Sequence, residues 1–222
     1  MADICVLVYG FGVRRAVFYP LLGDGIFTQE GLAWKHSREL LRKQFARTQY
    51  QNLDHFRDHV DNLLGCLPPL HGLVDLQPLF FNLTLDTTTA LLLGRSVHSL
   101  KPEADADIRA FQESFNTAQE GLAKRFRIAP WQALYNPPKF RGACATVHGF
   151  VDNYINERKS KGTQGDQERS EYGFIDQLSG ESRDTRSLRD QLLNILLAGR
   201  DSTACSLSWT LYVSIQTAIF LI

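Results

Sequence analysis

The 222-residue chain lacks the sequence patterns that mark several common kinds of functional site. Its four cysteines, Cys5, Cys66, Cys144 and Cys205, are too widely scattered for a CxxC redox pair or a Cys/His zinc site. Reduced, mostly buried thiols are therefore the simplest interpretation. The chain also contains no GxGxxG or Walker A loop, no HExxH and no GxSxG, so the usual signals of nucleotide binding, zinc proteolysis and serine hydrolysis are missing.

The net charge argues against a nucleic-acid partner, and the length of the N-terminal apolar run argues against a membrane anchor or signal peptide. The 24 basic residues equal the 24 acidic residues, so the basic excess that nucleic-acid binding requires is missing, and we expect no nucleic-acid partner. The apolar run at 4–9 is too short to span a membrane and has no basic start, so we expect no anchor or signal peptide within this chain.

Helical periodicity dominates the remaining sequence, and strand signals are almost absent. Apolar residues recur at helical spacing in five segments, at about 29–45, 53–67, 77–93, 105–126 and 140–161. A polar, charged stretch at 160–171 predicts a surface loop, and a short helix is predicted at 172–178. A last, long helix is predicted at about 185–212, with a capping-box-like start near Ser187. These patterns predict a mainly α fold.

Trp34 and Arg38 lie four residues apart and therefore share one face of the helix at 29–45. Both side chains donate hydrogen bonds, which suits a carboxylate or phosphate ligand. The alternative is a core tryptophan beside a solvated arginine, and the spacing alone favours that alternative. The basic residues of the same helix predict a solvated face or, equally, a docking patch for an acidic partner.

Residues 198–203, with the sequence AGRDST, place a carboxylate and two hydroxyls inside a long apolar run. A helix that is apolar on most sides is normally buried, and a buried carboxylate needs a partner. Asp201, Ser202 and Thr203 together have the groups needed to hold water and pass protons. Alternatively, the hydroxyls bond back to their own helix and Asp201 pairs with Arg200 or another cation. The sequence leaves both interpretations open.

His55 and His59 have the i, i+4 spacing of a pair that can bind a metal ion. Aspartates and an arginine lie beside them along the same helix, however, and this mixture of charges is typical of a solvated face. We therefore predict a solvated helix face here and no metal site.

In combination, Trp34-x-x-x-Arg38 and the Ala-Gly-x-Asp-Ser-Thr sequence about 160 residues later resemble the cytochrome P450 family of haem-thiolate monooxygenases. The stretch at 21–28, LLGDGIFT, together with the Ala-Gly-Arg-Asp form, resembles more specifically the fungal branch that hydroxylates n-alkanes and fatty acids. The resemblance covers about residues 10–212. It implies the helical region of that fold from about the B′ to the I helix, with the C helix at 29–45 and the I helix at 185–212.

The resemblance also implies a cofactor and the residues that hold it. The cofactor would be haem, with Trp34 and Arg38 binding a propionate, while Ala198 and Gly199 leave room for dioxygen. An NADPH-cytochrome P450 reductase would supply electrons, and the substrate would be an apolar alkane or fatty acid. The family's location is the cytosolic face of the endoplasmic reticulum membrane.

For catalysis, the resemblance implies that Asp201, Ser202 and Thr203 deliver protons to reduced oxygen. Ser202 stands where the family usually has threonine, so the hydroxyl is kept but the methyl group that restricts its rotamer is lost.

Several family features have no match in this sequence. The cysteine loop that supplies the axial thiolate and the later Glu-x-x-Arg motif are absent, as are the anchor and most of the β part. We therefore expect a partial domain over 1–222, inactive by itself and cytoplasmic in the absence of an anchor, with 213–222 as a non-homologous read-through tail. The alternative is a non-enzymatic helical fragment or interaction module, the product of a pseudogene.

Overall fold

The computed structural model describes residues 10–45, 54–69, 72–101, 105–161, 175 and 184–220. Within these residues the chain forms seven α-helices, one 3-10 helix and no strand, which confirms the predicted mainly α fold. The helices are α1 (Arg14–Leu22), α2 (Gly31–Phe45), α3 (Asp54–Gly65), α4 (Leu76–Leu93), α5 (Ala106–Arg127), α6 (Pro138–Lys161) and α7 (Thr185–Phe220), with the 3-10 turn at Gln132–Leu134.

Helices α2 to α6 coincide with the five predicted segments to within a few residues. Helix α1 was not apparent from the sequence, because it is short and contains Pro20, which usually ends a helix. Helix α7 continues without a break to Phe220, so no structural boundary falls at 213; a separate origin of 213–222 stays a prediction. The predicted helix at 172–178 lies outside the described residues except for Ile175, which is helical and buried, and most of the predicted loop at 160–171 also lies outside them.

Helix α7 is the centre of the packing. Its N-terminal half contributes Leu188, Leu192, Leu193 and Leu196 to the main core. Helix α4 makes the most extensive contact with α7, α5 pairs with α6, and α1 packs against α5, α6 and α7. Helix α3 packs on α4, and a small second cluster joins Leu63 to Leu83 and Leu100. The apolar run before AGRDST is therefore buried, as the sequence predicts. The expectation of burial is wrong for the run after it, because Leu207, Trp209 and Leu211 are exposed.

Helix α4 has a defined cap at each end. The carboxylate of Asp75 accepts a hydrogen bond from the backbone N–H of Gln77, and Gly94 ends the helix in the left-handed conformation at φ 72°. Inside the helix, the fully buried Asp86 accepts hydrogen bonds from the N–H groups of Ser99 and Leu100. This carboxylate fixes the turn that follows the helix, because a buried charge must be paired.

The structure corrects two predictions about side-chain environment. The solvated face predicted around the histidine pair is wrong for His59, which is only 7% exposed and lies 6.5 Å from His98 between ring centroids. The side chain of His55 lies outside the described part of the chain, and the described residues contain no group of three potential metal ligands.

The second correction concerns the cysteines, which were predicted to be mostly buried. Cys144 is buried and Cys66 half-buried, whereas Cys205 is exposed and Cys5 lies outside the described residues.

Helices α5 and α6 approach closely at Gly121, where an added Cβ would lie 2.1 Å from Cδ2 of Phe140. We predict that Gly121→Ala lowers the free energy of unfolding by about 1–3 kcal/mol, because the Phe140 ring must move. Gly142→Ala is the matched control, since Gly142 is an exposed glycine of α6 with nothing within 4 Å of its added Cβ. That change should stabilise the chain by up to about 1 kcal/mol through helix propensity. Urea unfolding measures the free energy of unfolding of both variants. Equal effects would contradict the close contact between Gly121 and Phe140.

Two histidines, the buried His59 and the half-buried His148, predict how stability depends on pH. Burial lowers the pKa of His148, whose Nε2 lies 2.8 Å from the carbonyl oxygen of Leu21, and also lowers the pKa of His59. The unfolded chain therefore binds protons more readily than the folded chain just below pH 6.5. The free energy of unfolding should be highest above about pH 6.5 and fall as the pH drops below it. His148→Gln should reduce this dependence in urea unfolding, and a dependence that is unchanged in this variant would contradict the assignment.

Candidate cofactor and proton-relay site

A cavity of about 310 Å³ lies between α2, α7 and the segment that precedes α2. Two of the predicted site residues, Arg38 and Ala198, line it together although they are 160 positions apart in the sequence. The lining consists of six apolar side chains, two guanidinium groups and one amide, from Ile26, Phe27, Arg38, Leu41, Arg42, Phe45, Asn194, Ile195 and Ala198. An apolar wall with a few cationic donors suits a ligand that has an apolar body and an anionic edge.

Trp34 and Arg38 lie together on α2 as their spacing predicts. The guanidinium carbon of Arg38 is 5.2 Å from the centroid of the Trp34 ring, within the range of a cation–π contact. Trp34 is half-buried and does not line the cavity, whereas the exposed Arg38 does. Lys35 and Arg42 are also exposed, and Arg42 lines the cavity with Arg38. Whether this basic face is solvated or docks an acidic partner stays a prediction. The tryptophan therefore supports the arginine from the side rather than filling the core.

A hydrogen bond beside Arg38 holds α2 against α7. Nε2 of Gln191 donates to Oγ of the buried Ser37 over 2.6 Å, and the Ser37 hydroxyl donates in turn to Oε1 of Gln29. Leu40 and Leu41 are buried on the same side of the helix. The bond lies one residue from Arg38 and so fixes where the guanidinium enters the cavity.

Asn194 of α7 holds the segment between α1 and α2. Its buried Oδ1 accepts from the backbone N–H of Phe27 over 2.9 Å, and its Nδ2 donates to the carbonyl oxygens of Leu22 at 3.0 Å and Asp190 at 2.7 Å. Thr28 closes the segment on itself, because its Oγ1 accepts from the N–H of Gly25 and donates to the carbonyl oxygen of Gly23. The hydrogen bond to Asn194 thus fixes Phe27 in the cavity wall.

Both glycines of the LLGDGIFT stretch are explained by this contact. An added Cβ at Gly25 would lie 2.2 Å from Nδ2 of Asn194. At Gly23, where φ is 58°, it would lie 2.0 Å from Oδ2 of Asp190. That same carboxylate oxygen accepts from the N–H of Asp24 at 2.9 Å. Burial raises the pKa of Asp190, while the hydrogen bond from Asp24 and the nearby Arg189 act to lower it.

Sequence reasoning missed the four side chains that position this site, which are Ser37, Asp190, Gln191 and Asn194. The available signal was a polar stripe at i, i+1 and i+4 near the start of the long apolar helix. Polar groups at positions where a buried helix is expected to be apolar normally have partners, and here the partners are the loop and α2.

Asp201 points away from the cavity lining and towards α5. Its Oδ2 accepts from Nε2 of Gln119 at 2.6 Å, and its Oδ1 accepts from Nη1 of Arg200 at 3.2 Å. The side chain remains 37% exposed. Burial raises the pKa of Asp201, and the charge of Arg200 and the hydrogen bond from Gln119 oppose that rise. The carboxylate therefore has both a solvent-facing side and a fixed side.

The two hydroxyl residues after Asp201 are exposed. Oγ of Ser202 donates to the carbonyl oxygen of Ala198 at 2.7 Å, which is the backbone-bonded geometry considered from the sequence. Neither Ser202 nor Thr203 lines the cavity, although Ser202 is joined by this bond to Ala198, which does. A proton-relay role for these three residues stays a prediction.

Gly199 faces α4 rather than the cavity. An added Cβ would lie 2.8 Å from Oγ1 of Thr88, so the glycine permits α4 and α7 to pack closely. Its neighbour Ala198 is exposed and lines the cavity. The structure thus gives Gly199 a packing contact, and its predicted role of leaving space for dioxygen stays a prediction.

The chain belongs to the cytochrome P450 family, whose family model, described as Cytochrome P450, matches residues 9–217. It is 45% identical over 199 residues to a cytochrome P450 of Arthroderma benhamiae, covering 87% of this chain and 40% of that protein. It is 41% identical over 214 residues to cytochrome P450 52-E3 of Starmerella bombicola, covering 92% and 41%. For cytochrome P450 52A1 of Candida tropicalis the values are 41% over 215 residues, covering 92% and 39%. The chain spans about two fifths of the length of these relatives.

Solved structures show the same fold. A mutant of the cytochrome P450DA heme domain superposes with a TM-score of 0.74 at 20% identity, covering 97% of this chain and 47% of that one. The cytochrome P450DA heme domain itself gives a TM-score of 0.66 at 22% identity, covering 93% and 46%. The predicted P450-like helical region is therefore confirmed, and haem is the cofactor of this family. Among the described helices, none combines the length and apolar character needed to cross a bilayer.

The contacts of Asn194 predict its effect on stability. Asn194→Ala removes three hydrogen bonds and leaves the N–H of Phe27 and the carbonyl oxygen of Leu22 without this partner, so we expect a loss of about 2–4 kcal/mol in unfolding free energy. Asn153→Ala, at an exposed position of α6, should stay within about 0.5 kcal/mol of the unmodified chain. Urea unfolding gives both values, and amide exchange should speed up at Phe27 in the first variant alone. Equal stabilities would contradict the assignment.

Proposed function

We propose that the cavity between α2 and α7 holds the propionate edge of a haem, and that this chain is the oxygen-activating helical part of a monooxygenase that hydroxylates alkanes or fatty acids. The observation that supports this most is the meeting of Arg38 and Ala198 in one cavity. Two motifs that are distant in sequence lie where one ligand touches both.

The residues present fit the edge of a haem. The apolar side chains of Phe27, Leu41 and Ile195 suit the face of a macrocycle, and Arg38 and Arg42 suit its carboxylates. When bound, haem supplies the redox iron at which dioxygen is activated. None of the three cysteines in the described residues lines the cavity.

The role of α2 in this proposal is recognition. The guanidinium of Arg38 would donate hydrogen bonds to a haem propionate, because a guanidinium matches the two oxygens of a carboxylate. Trp34 makes a cation–π contact with Arg38, and Ser37 joins the same turn of α2 to α7 by a hydrogen bond. The arginine is therefore largely organised before the ligand arrives, which reduces the entropy lost on binding.

The role of α7 is to move protons. The carboxylate of Asp201 is partly exposed, so it exchanges protons with solvent, and burial raises its pKa towards the range useful for proton transfer. Ser202 carries the next hydroxyl, and its Oγ is bonded to the carbonyl oxygen of Ala198 at the cavity. Thr203 supplies a second hydroxyl beside it. Ser202 Oγ would take up a proton from Asp201 as its own hydroxyl proton leaves the bond to the Ala198 carbonyl oxygen and is released on the cavity side, and Asp201 would regain a proton from solvent.

The substrate, electron donor and location belong to this proposal as well. An alkane or fatty acid substrate is supported by the resemblance of the LLGDGIFT stretch and of the Ala-Gly-Arg-Asp form to the fungal branch that hydroxylates these compounds. The electrons would come from an NADPH-cytochrome P450 reductase at the cytosolic face of the endoplasmic reticulum. Because the sequence has no match to the cysteine loop that supplies the family's axial thiolate, we expect the 222-residue chain by itself to bind haem without hydroxylating substrate.

A second candidate function is that of an interaction module without enzymatic activity. It is favoured by the distal part of α7, which exposes a patch of large apolar side chains: Leu207, Trp209, Leu211, Tyr212, Val213 and Ile215. Exposed apolar surface of this kind marks a binding site or an aggregation hazard. The patch is equally consistent with a monooxygenase whose remaining residues cover it, since the relatives are more than twice as long.

Haem titration of the 222-residue chain separates these two functions. We predict saturable binding, followed by the Soret absorbance, that Arg38→Ala weakens about 10- to 100-fold through loss of a charge-assisted hydrogen bond. Arg141→Ala is the matched control, because Arg141 is an exposed helical arginine outside the cavity lining. It should bind haem like the unmodified chain.

The contrary results are equally distinct. Equal affinities in the two arginine variants would remove Arg38 from the proposed site. Non-saturable absorbance changes in the unmodified chain, accompanied by self-association in sedimentation velocity, would favour the interaction module.

A further inference from the structure

Arg200 is buried between two aromatic rings, an unusual place for a charged side chain. It is only 4% exposed, and its guanidinium carbon lies 4.8 Å from the ring centroid of Phe81 on α4 and 5.2 Å from that of Phe115 on α5. Both distances are within the range of cation–π contact. The guanidinium of Arg200, in the middle of α7, therefore contacts one aromatic ring of α4 and one of α5.

The donors of Arg200 and the amide of Gln119 form a closed ring around Asp201. Nη1 of Arg200 donates to Oε1 of Gln119 at 3.0 Å and to Oδ1 of Asp201 at 3.2 Å. Nε2 of Gln119 donates to the other oxygen of Asp201 at 2.6 Å. Nη2 of Arg200 donates to Oδ1 of Asn116, one turn earlier on α5. Each carboxylate oxygen therefore has one donor, and α5 supplies one of the two.

The ion pair with Asp201 does not by itself account for the burial of Arg200. Consecutive helical residues do not normally face each other, and an ion pair whose carboxylate is partly exposed adds little to stability. Against this stands the desolvation of a buried guanidinium whose Nε has no hydrogen-bond partner. A charged group that is costly to bury and is aimed at a candidate proton carrier is expected at a functional site.

We propose that Arg200 and Gln119 are positioning residues that fix the carboxylate of Asp201 and set its proton affinity, so that α4 and α5 control the relay acid as well as α7. This inference rests on the proposed role of Asp201 as a proton carrier. Gln119 carries the link to α5, because its carbonyl oxygen is held by Arg200 while its amide nitrogen holds Asp201. A displacement of α5 would therefore be felt directly at the carboxylate.

The electrostatic surroundings of Asp201 are simple. Among the described residues, the charged group that acts on it is Arg200 of its own helix, whereas α5 presents the neutral Gln119. Helix α4 presents Phe81 to the guanidinium, and its buried carboxylate, Asp86, is bonded to the turn at 99–100 instead. Loss of either Arg200 or Gln119 thus removes an influence that lowers the pKa of Asp201.

The test is a carboxyl-carbon NMR titration of Asp201 in the full 222-residue chain, with the signal assigned by Asp201→Asn. The midpoint should move to higher pH in Gln119→Leu and further in Arg200→Gln, which also removes a charge. Arg200→Lys should give a midpoint between those of Arg200→Gln and the unmodified chain, because it keeps the charge but loses the fork. A purely structural role would not produce this graded order.

Matched controls share the chemistry of each change. Gln112→Leu alters another half-buried glutamine of α5, and Arg186→Gln alters an exposed arginine of α7; both should leave the Asp201 midpoint unchanged. Should Arg200→Gln fail to fold, as judged by circular dichroism, Gln119→Leu still decides the matter, since an unchanged midpoint in that folded variant would overturn the proposal. Failure of the unmodified chain to bind haem would count against the proposed function alone, because these midpoints are measured without haem.

Discussion

A stripe of buried polar side chains near the start of α7 determines where the site can form. Asp190 and Asn194 bind backbone groups of the segment at 22–27, and Gln191 binds Ser37 of α2. Because unpaired polar groups are costly to bury, the segment and α2 must take the positions that satisfy them. Arg38 lines the cavity as a consequence of these contacts. All three polar residues of α7 precede the AGRDST sequence along the helix.

Successive residues of α7 contact different parts of the structure. On the side of α2 it offers Ala198 and Ile195 to the cavity, so this side is suited to recognition of a ligand. On the side of α4 and α5 it offers Gly199 to Thr88 and presents Arg200 and Asp201 to Gln119. In the proposed function, ligand binding and proton transfer would therefore use two sides of one helix, with Ala198 and Asp201 within a single turn, and both would depend on the packing of that helix.

Much of the fold was predictable, because five helices have regular apolar faces, whereas α1 was hidden by Pro20. The shared face of Trp34 and Arg38 followed from spacing, but their relation to Ala198 came only through family resemblance, since local patterns carry no information on contacts between distant residues. The same limit explains the error at His59, whose charged neighbours in sequence conceal its burial. The contact of Gly199 with Thr88 could not be predicted either, because it depends on which helix packs against the glycine.

The central claim is that a haem bound to this chain lies against both α2 and the middle of α7. The most direct measurement is methyl NMR of the alanine-labelled chain during addition of ferric haem, whose unpaired electrons broaden nearby signals. The methyl signal of Ala198 should disappear at stoichiometric haem, while that of Ala145, exposed on α6, should persist. Equal broadening of the two signals, or broadening of neither, would contradict the account.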